Sequence, residues 1–507
     1  MALLTKTPYL LGIDVGTTSA KLIVIDAQGQ IIASAAPTYE VQNPRPLWSE
    51  SKPQDWWQAV VMGIKLIEAK FGIDLKNIRG IGLAGQMHGL VALGREGEVV
   101  RPAILWNDSR AIAQCAGITE LMGAQKLLEY TGNPSLPGFT APKLAWMRER
   151  EPEAYAKTAH VLLPKDYIRY LLSDVLATDV TDASGTGVFD VAKRAWSKTM
   201  QEAYGLPGHV WPEAFESPTA CAKVSAEAAK ITGLAEGTPI AAGAGDQAAA
   251  AIGCGIIQEG LASLSLGTSG VIFAHSNHFR VEPEGRLHAF CHAVPGCWQL
   301  MGVVLSAAGS YQWFRSVVVG GHESYAALDQ AANNIPAGSE GLFFLPYLSG
   351  ERAPHNDPLA RGAFIGLSLR HTLGHMARSV LEGVSYALKD SVELVEALGI
   401  KLQNIMITGG GTNSALWRQI LADTLVRTLH TTSTADGGSF GAALLGGVAA
   451  QIYTDVYDAC NQTLNPQAAA SAGINFKAYA DLYPIYRSLY PALRPTFETL
   501  GHLHLNQ

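Results

Sequence analysis

The chain has 507 residues, 37 Lys and Arg against 44 Asp and Glu for a formal charge of −7, and 48% hydrophobic residues. At ~100–200 residues per domain that length predicts two to four domains, and a charged fraction of only 16% excludes global disorder. The mild acidity argues against a nucleic-acid-binding face, and no run approaches the roughly 18 apolar residues of a membrane span. Glycine is in excess: 52 residues, or about 10% against a usual ~7%.

The opening MALLTKTPYLLGID has its apolar run broken by Lys6 and Pro8. It lacks the regions of a signal peptide, so none is expected. Six scattered cysteines with no C-x-x-C suit reduced thiols in a cytoplasm. Residues 9–14 and 21–26 are apolar runs around a Gly16-Thr17-Thr18-Ser19 turn and read as a β-hairpin, with a third strand at 31–35. Trp56, Val60, Ile64 and Ile67 recur at helical spacing and predict a helix over 54–70, with Trp56 and Trp57 in the core. Residues 78–84 read as a buried strand, and this alternation marks an α/β domain.

Two nucleotide motifs are tested directly. No lysine follows a glycine, so the P-loop is absent. Gly80-Ile81-Gly82-Leu83-Ala84-Gly85 matches G-x-G-x-x-G, but a dinucleotide site needs a helix opening at its glycines. Here they lie within the strand.

Residues 239–242 lead as a strand into Gly243-Ala244-Gly245-Asp246-Gln247, and the alanine run to Ile252 continues as a close-packed helix. A carboxylate in so apolar a setting needs a reason. Asp246 either caps the helix or accepts a proton from a substrate hydroxyl, and position alone leaves both open.

After residue 258 the same parts return. Residues 261–266 and 271–274 flank Gly267-Thr268-Ser269-Gly270, a second copy of the first turn. His288, Cys291, His292 and Cys297 crowd together, but their spacing fits zinc poorly, and Ala–Phe alternation predicts a strand. Residues 405–408 run as a strand into Gly409-Gly410-Gly411, and Leu416, Ile420, Leu421 and Leu425 continue as a helix. Residues 451–507 read as a Tyr- and Pro-rich closing segment, packed as a helix over 479–490. The duplication predicts two related domains, 1–257 and 258–507, with a cleft between them.

The turns carry the chemistry. Successive backbone N–H groups free of bulky side chains make an anion cradle, and glycines opening a helix bring its N-terminus up to a phosphate. A single such turn is better explained by hairpin geometry alone. Two copies with a triple glycine predict nucleotide binding. Asp14, two residues before Gly16, suits a hydrated Mg²⁺, which takes one or two carboxylates plus phosphates. Arg110 and Arg352 read either as phosphate-approaching or as buried ion pairs.

IDVGTTSAKLIVID, SLSLGTSGVIF and ITGGGTNSALWRQILAD together resemble the phosphate and adenosine segments of the sugar kinase/heat-shock/actin ATPase superfamily. GFTAPKLAWM (138–147) and GAFIGLSLRHTLGHMARSVLE (362–382) resemble the two signatures of the FGGY carbohydrate kinases, and the likeness covers nearly the whole chain. PLWSE, GQMHG, RPAILWNDSR, LLPKDYIR and PYLSGERAPHNDP are similar to the members that act on ketopentoses.

The resemblance implies two actin-like (ribonuclease H-like) domains and ATP- and Mg²⁺-dependent phosphorylation of a sugar hydroxyl, the 5-hydroxyl of D-xylulose in the narrower likeness. It implies Asp246 as catalytic base, with Met87, His88 and Gln247 also at the sugar. Gln247 departs from the asparagine common there, though it keeps an amide. Thr17, Thr18, Gly267 and Thr268 fall at the phosphate positions, Gly410, Gly411 and Asn413 at the nucleotide, and Asp14 at the metal. The implied partners are sugar and ATP, without nucleic acid or membrane, in a homodimer. The rival expectations are a kinase for ribulose, erythritol or glycerol, a non-catalytic ATP-binding module, and an NAD-dependent dehydrogenase.

Overall fold

The computed structural model describes residues 8–432 and 437–504. Two seven-stranded mixed sheets carry the fold. In the first, Tyr9–Val15 and Ala20–Asp26 form the predicted antiparallel hairpin, and Ile31–Ala35 extends it. Ile78–Gly85 lies parallel to Tyr9–Val15 on its other side. Pro239–Ala241 follows in parallel, and Ala220–Lys223 closes that edge antiparallel.

The second sheet repeats these directions in the same order. Leu261–Leu266 and Gly270–Ser276 are its hairpin, Trp298–Val304 the third strand, and Asn404–Thr408 the parallel neighbour. Leu429–Thr431 follows in parallel and Gln467–Ala470 closes antiparallel. The closing segment thus supplies an edge strand as well as the helix Phe476–His504, on which Tyr479, Tyr483, Tyr486 and Tyr490 are buried. His288–Cys291 is a strand beside Trp298–Val304, as the Ala–Phe alternation predicts.

Each sheet has its own core. The helix Pro53–Phe71 lays Trp56, Val60, Ile64 and Ile67 on the first sheet. Trp57 stands about 100° further round the helix, so it is only half-buried and lines a surface hollow with Met62 and Ile231. Trp56 is fully in the core as expected, while Trp57 packs against the core from its edge.

A third core joins the halves. It gathers Leu10 and Ile23 of the first sheet, Phe273 and Met406 of the second, and the helices Asp246–Gly253 and Gly437–Ala449. The second of these helices comes late in the chain yet packs on the first sheet. Strand period two sends Ile81 and Leu83 into the first core and turns Gly80, Gly82 and Ala84 toward this helix. A Cβ on Gly82 would overlap the carbonyl oxygen of Ala442, one on Gly12 that of Ser439, and one on Gly441 that of Ala249. The G-x-G-x-x-G string is therefore a packing surface, in which absent side chains let backbone meet backbone.

Gly82→Ala is expected to overpack this seam and destabilise the protein by ~1–3 kcal/mol, read as a lower apparent Tm. Gly117 in the helix Ile112–Met122 has open space where its Cβ would go, so Gly117→Ala is expected to be neutral or stabilising by up to ~1 kcal/mol. Equal responses from the two variants would refute the seam account.

Candidate active site

Asp246 is the first residue of its helix, and the capping position before it is Gly245. Its Oδ1 accepts from the backbone N–H of Gln247 at 2.8 Å, so the carboxylate does not serve as an ordinary cap. Burial pushes its pKa up to about 6, against the Gln247 N–H that favours the ion.

A fully buried network sets this junction in place. The Gly245 N–H donates to Thr181 Oγ1 at 2.8 Å, and the Thr181 hydroxyl donates to Asp179 Oδ2 at 2.6 Å. Asp179 pairs with Lys165 at 2.8 Å, Lys165 with Asp166 at 2.6 Å, and Arg169 donates to the Ala242 carbonyl at 2.7 Å. Burial, with Asp179 and Asp166 close by, drives the Asp182 carboxyl well above its ordinary range even against Lys165. All three acids lie within ion-pair distance of Lys165, Asp182 at 3.1 Å, as buried charges require.

Above Asp246 lies a cavity of about 440 Å³. Met87, His88 and Gln247 line it from the first half, and Ser269, His288 and Arg352 line it from the second. His88 has a left-handed backbone at φ 70°, a conformation that costs a non-glycine residue ~1–3 kcal/mol. Its carbonyl accepts from Thr140 Oγ1 and Lys143 Nζ, each at 3.0 Å, and its ring stacks on Phe139 at 4.7 Å. Its Nδ1 lies 2.8 Å from the Gly185 carbonyl oxygen. A carbonyl only accepts, so Nδ1 carries the hydrogen and Nε2 keeps its lone pair. Burial lowers the ring's pKa to about 3, so the imidazole is neutral.

Arg110 and Arg352 divide the two readings between them. Arg110 is a buried ion-pair partner of Asp108 and Glu50, both at 2.7 Å, with Trp48 stacked on its guanidinium. Arg352 has no carboxylate within ion-pair distance among the described residues. Its Nη1 lies 3.4 Å from His288 Nε2.

The first turn is pinned from two sides. Gly16 donates to the Ser19 carbonyl at 3.0 Å, and its own carbonyl accepts from Tyr39 Oη at 2.6 Å and Gln86 Nε2 at 2.9 Å. Residues 86–88 therefore serve both the turn and the cavity at Asp246. Thr17 Oγ1 accepts from Trp106 Nε1 at 3.1 Å, while Thr18 is exposed. Asp14, Thr17 and Thr18 border this region but line neither cavity.

Asp14 shares the Gly12 face of its strand and so meets the start of the Gly437–Ala449 helix, where a Cβ on Gly438 would overlap Oδ2. Its Oδ1 is buried without a hydrogen-bond partner. Burial, then the charge of Asp246, raises its pKa to about 7.

A second cavity of about 560 Å³ collects Gly267, Thr268, Gly410, Gly411 and Asn413, together with Tyr311 and Asp329. The Ala308 and Gly309 N–H groups hold the second turn by donating to the Gly267 and Thr268 carbonyls at 2.9 and 3.1 Å. Thr268 lines this cavity and Ser269 lines the one at Asp246. One turn thus stands between a nucleotide-sized space and the carboxylate.

Sequence reasoning missed Phe139, His288, Thr181 and Lys165. His288 was conspicuous only as a zinc-like neighbour of Cys291, His292 and Cys297. In the fold the Cys291 thiol donates to the Val191 carbonyl and His292 Nδ1 accepts from the Val294 N–H, so the cluster disperses. Among the described residues no group of three or more His, Cys, Asp and Glu side chains is placed to hold a metal ion.

Comparison with known proteins fits this arrangement. The N-terminal domain of the FGGY family of carbohydrate kinases matches residues 9–253, and its C-terminal domain matches residues 262–450. The xylulose kinase of Escherichia coli K12 is 41% identical over 96% of this chain and 99% of its own. The xyloylose kinase of Brucella ovis is 37% identical with a TM-score of 0.91, covering 96% of this chain and 100% of that one. The gluconate kinase of Lactobacillus acidophilus is 28% identical with a TM-score of 0.92, covering 98% and 100%. With its actin-like two-domain α/β fold, the chain belongs to the FGGY family of carbohydrate kinases and is an ATP-using sugar kinase.

Proposed function

We propose that the chain transfers the γ-phosphate of ATP to the 5-hydroxyl of D-xylulose, with Asp246 as general base. The observation that carries this reading is the turn at 267–270, with Thr268 in the nucleotide cavity and Ser269 in the cavity that holds Asp246. Phosphoryl transfer asks chiefly for such alignment and for charge stabilisation. The kinship with xylulose kinases, over nearly the whole of both chains, supports the choice of sugar.

In this reading Met87, His88 and Gln247 hold the acceptor, and neutral His88 offers its Nε2 lone pair to a sugar hydroxyl. As the 5-oxygen bonds to phosphorus, its proton passes to Asp246, and the bond to the bridging oxygen breaks to release ADP. Thr17, Thr18, Gly267 and Thr268 hold the phosphates from two sides, and Gly410, Gly411 and Asn413 border the adenosine. Residues 1–257 then carry the base and the first turn, and 258–507 the second turn and the nucleotide cavity.

The family also implies Mg²⁺, and Asp14 fits it: its unpartnered buried oxygen and raised pKa are those of a carboxylate that a cation would satisfy. Bound there through water, the ion would neutralise phosphate charge. Among the described residues no helix is long and apolar enough to cross a membrane, and with six unpaired cysteines we place the enzyme in the cytoplasm.

A panel of D-xylulose, L-ribulose, glycerol and erythritol with coupled ADP detection tests the substrate. D-xylulose should give the highest kcat/KM, and no preference for it would remove the narrow assignment. Asp246→Asn is expected to lower kcat by ~10²–10⁴ while ATP still binds in a titration. Normal turnover by that variant would refute the base. Asp246 must be ionised to accept the proton, so with its pKa near 6 kcat/KM should fall about tenfold per pH unit below that value. A flat profile from pH 7 to 5 would contradict it.

A further inference from the structure

The acceptor cavity contains a cation that the transfer chemistry does not use. Arg352 is half-buried, lines the cavity, and has no carboxylate within ion-pair distance among the described residues. A guanidinium so placed has donors to spare and nothing to accept with.

Its position is set by a relay across the two halves. Asn133 Nδ2 donates to the carbonyls of Thr131 and Ala289 at 2.8 and 2.9 Å, so its Oδ1 is the acceptor and takes the hydrogen of His288 Nδ1 at 2.9 Å. The opposite ring nitrogen of His288 is thereby left as a lone pair, and Arg352 Nη1 donates to it. The ring is neutral, since burial and the charge of Arg352 hold its pKa well below the usual range. Had the tautomer been the other, N–H would face N–H. Phe290 stacks on His288 at 5.4 Å, and Phe139 lies between the two histidines, 4.7 Å from His88 and 6.3 Å from His288.

Arg352 belongs with the histidines: it bonds His288, and its charge bears on both His88 and His288. On the sugar-kinase reading, an open-chain sugar with its terminal hydroxyl at Asp246 places the rest of its carbon chain in the cavity that Arg352, His88 and His288 line.

The geometry points to Arg352 as a specificity-determining residue that reads the carbonyl end of the acceptor, held in register by His288 and Asn133. It rests on the sugar-kinase reading above and adds the chemical class: an open-chain 2-ketose, or a sugar acid whose carboxylate stands in the ketone's place. Both present acceptor-only oxygens to a donor-only group. A polyol brings a hydroxyl hydrogen there that the guanidinium cannot accept.

The test is calorimetric titration of D-xylulose, D-xylonate and xylitol into the full-length enzyme and its Arg352→Met and Arg352→Lys variants. Arg352→Met should weaken D-xylulose by ~10–100-fold and D-xylonate at least as much, with xylitol changed less than about threefold. Arg352→Lys should fall between, because it keeps the charge and loses the fork. In turnover the loss should appear in KM with kcat nearly kept, as for an interaction made equally in ground and transition states. An unchanged Tm and ATP affinity separate this from misfolding. Equal weakening of xylitol and D-xylulose, or no weakening of either sugar, would overturn the assignment. Turnover of D-xylulose by the unsubstituted enzyme tests the substrate reading by itself. Should that fail, the contrast between D-xylonate and xylitol still tests Arg352.

Discussion

Everything in this molecule depends on a helix and a sheet approaching until their backbones touch. The helix Gly437–Ala449 reaches back over most of the chain to lie on the first sheet, where Gly12, Gly80 and Gly82 leave room for it. That contact fixes the two halves together, and so fixes the distance between the cavity lined by Gly267 and Gly410 and the carboxylate of Asp246. The glycine excess is thus partly a packing requirement, with the phosphate turns as its second use.

The electrostatics follow from the same closeness. Asp14 and Asp246 are each half-buried and each pushed above the ordinary carboxylate range, Asp14 partly by Asp246 itself. Burial is the first cause of both shifts. The buried Lys165 network pairs its own carboxylates. Its part is mechanical: through Asp179 and Thr181 it holds the Gly245 N–H, and hence the direction in which Asp246 enters its helix.

The fold was legible in the sequence where it is local. The hairpins, both Gly-Thr turns, the triple glycine and the Asp246 junction follow from apolar period and glycine chemistry over a few residues. The packing role of G-x-G-x-x-G was not legible, because it depends on a partner at residues 439–446 that no local pattern announces. Neither was the relay to Arg352, whose links join residues 155 and 64 positions apart. His288 shows the difficulty most plainly: beside cysteines in the sequence it resembles a ligand, and Asn133 alone decides what its ring does. Trp57 differs in the opposite sense, a residue of core type that one helical step carries to the edge of the core.

The repeat of one sheet plan in the other has a consequence for polarity. Asp14 stands two residues before its turn and pairs with Lys21 across the hairpin, while Ser265 stands at the same station in the second sheet and pairs with Val271. The duplicated scaffold has kept its shape and given up its symmetry of charge. Were a carboxylate present at both stations, the phosphate chain would meet like charge from either wall. With serine on one side and aspartate on the other, the two turns differ in charge at matching stations. A pair of near-identical frames thereby becomes a device with a front and a back.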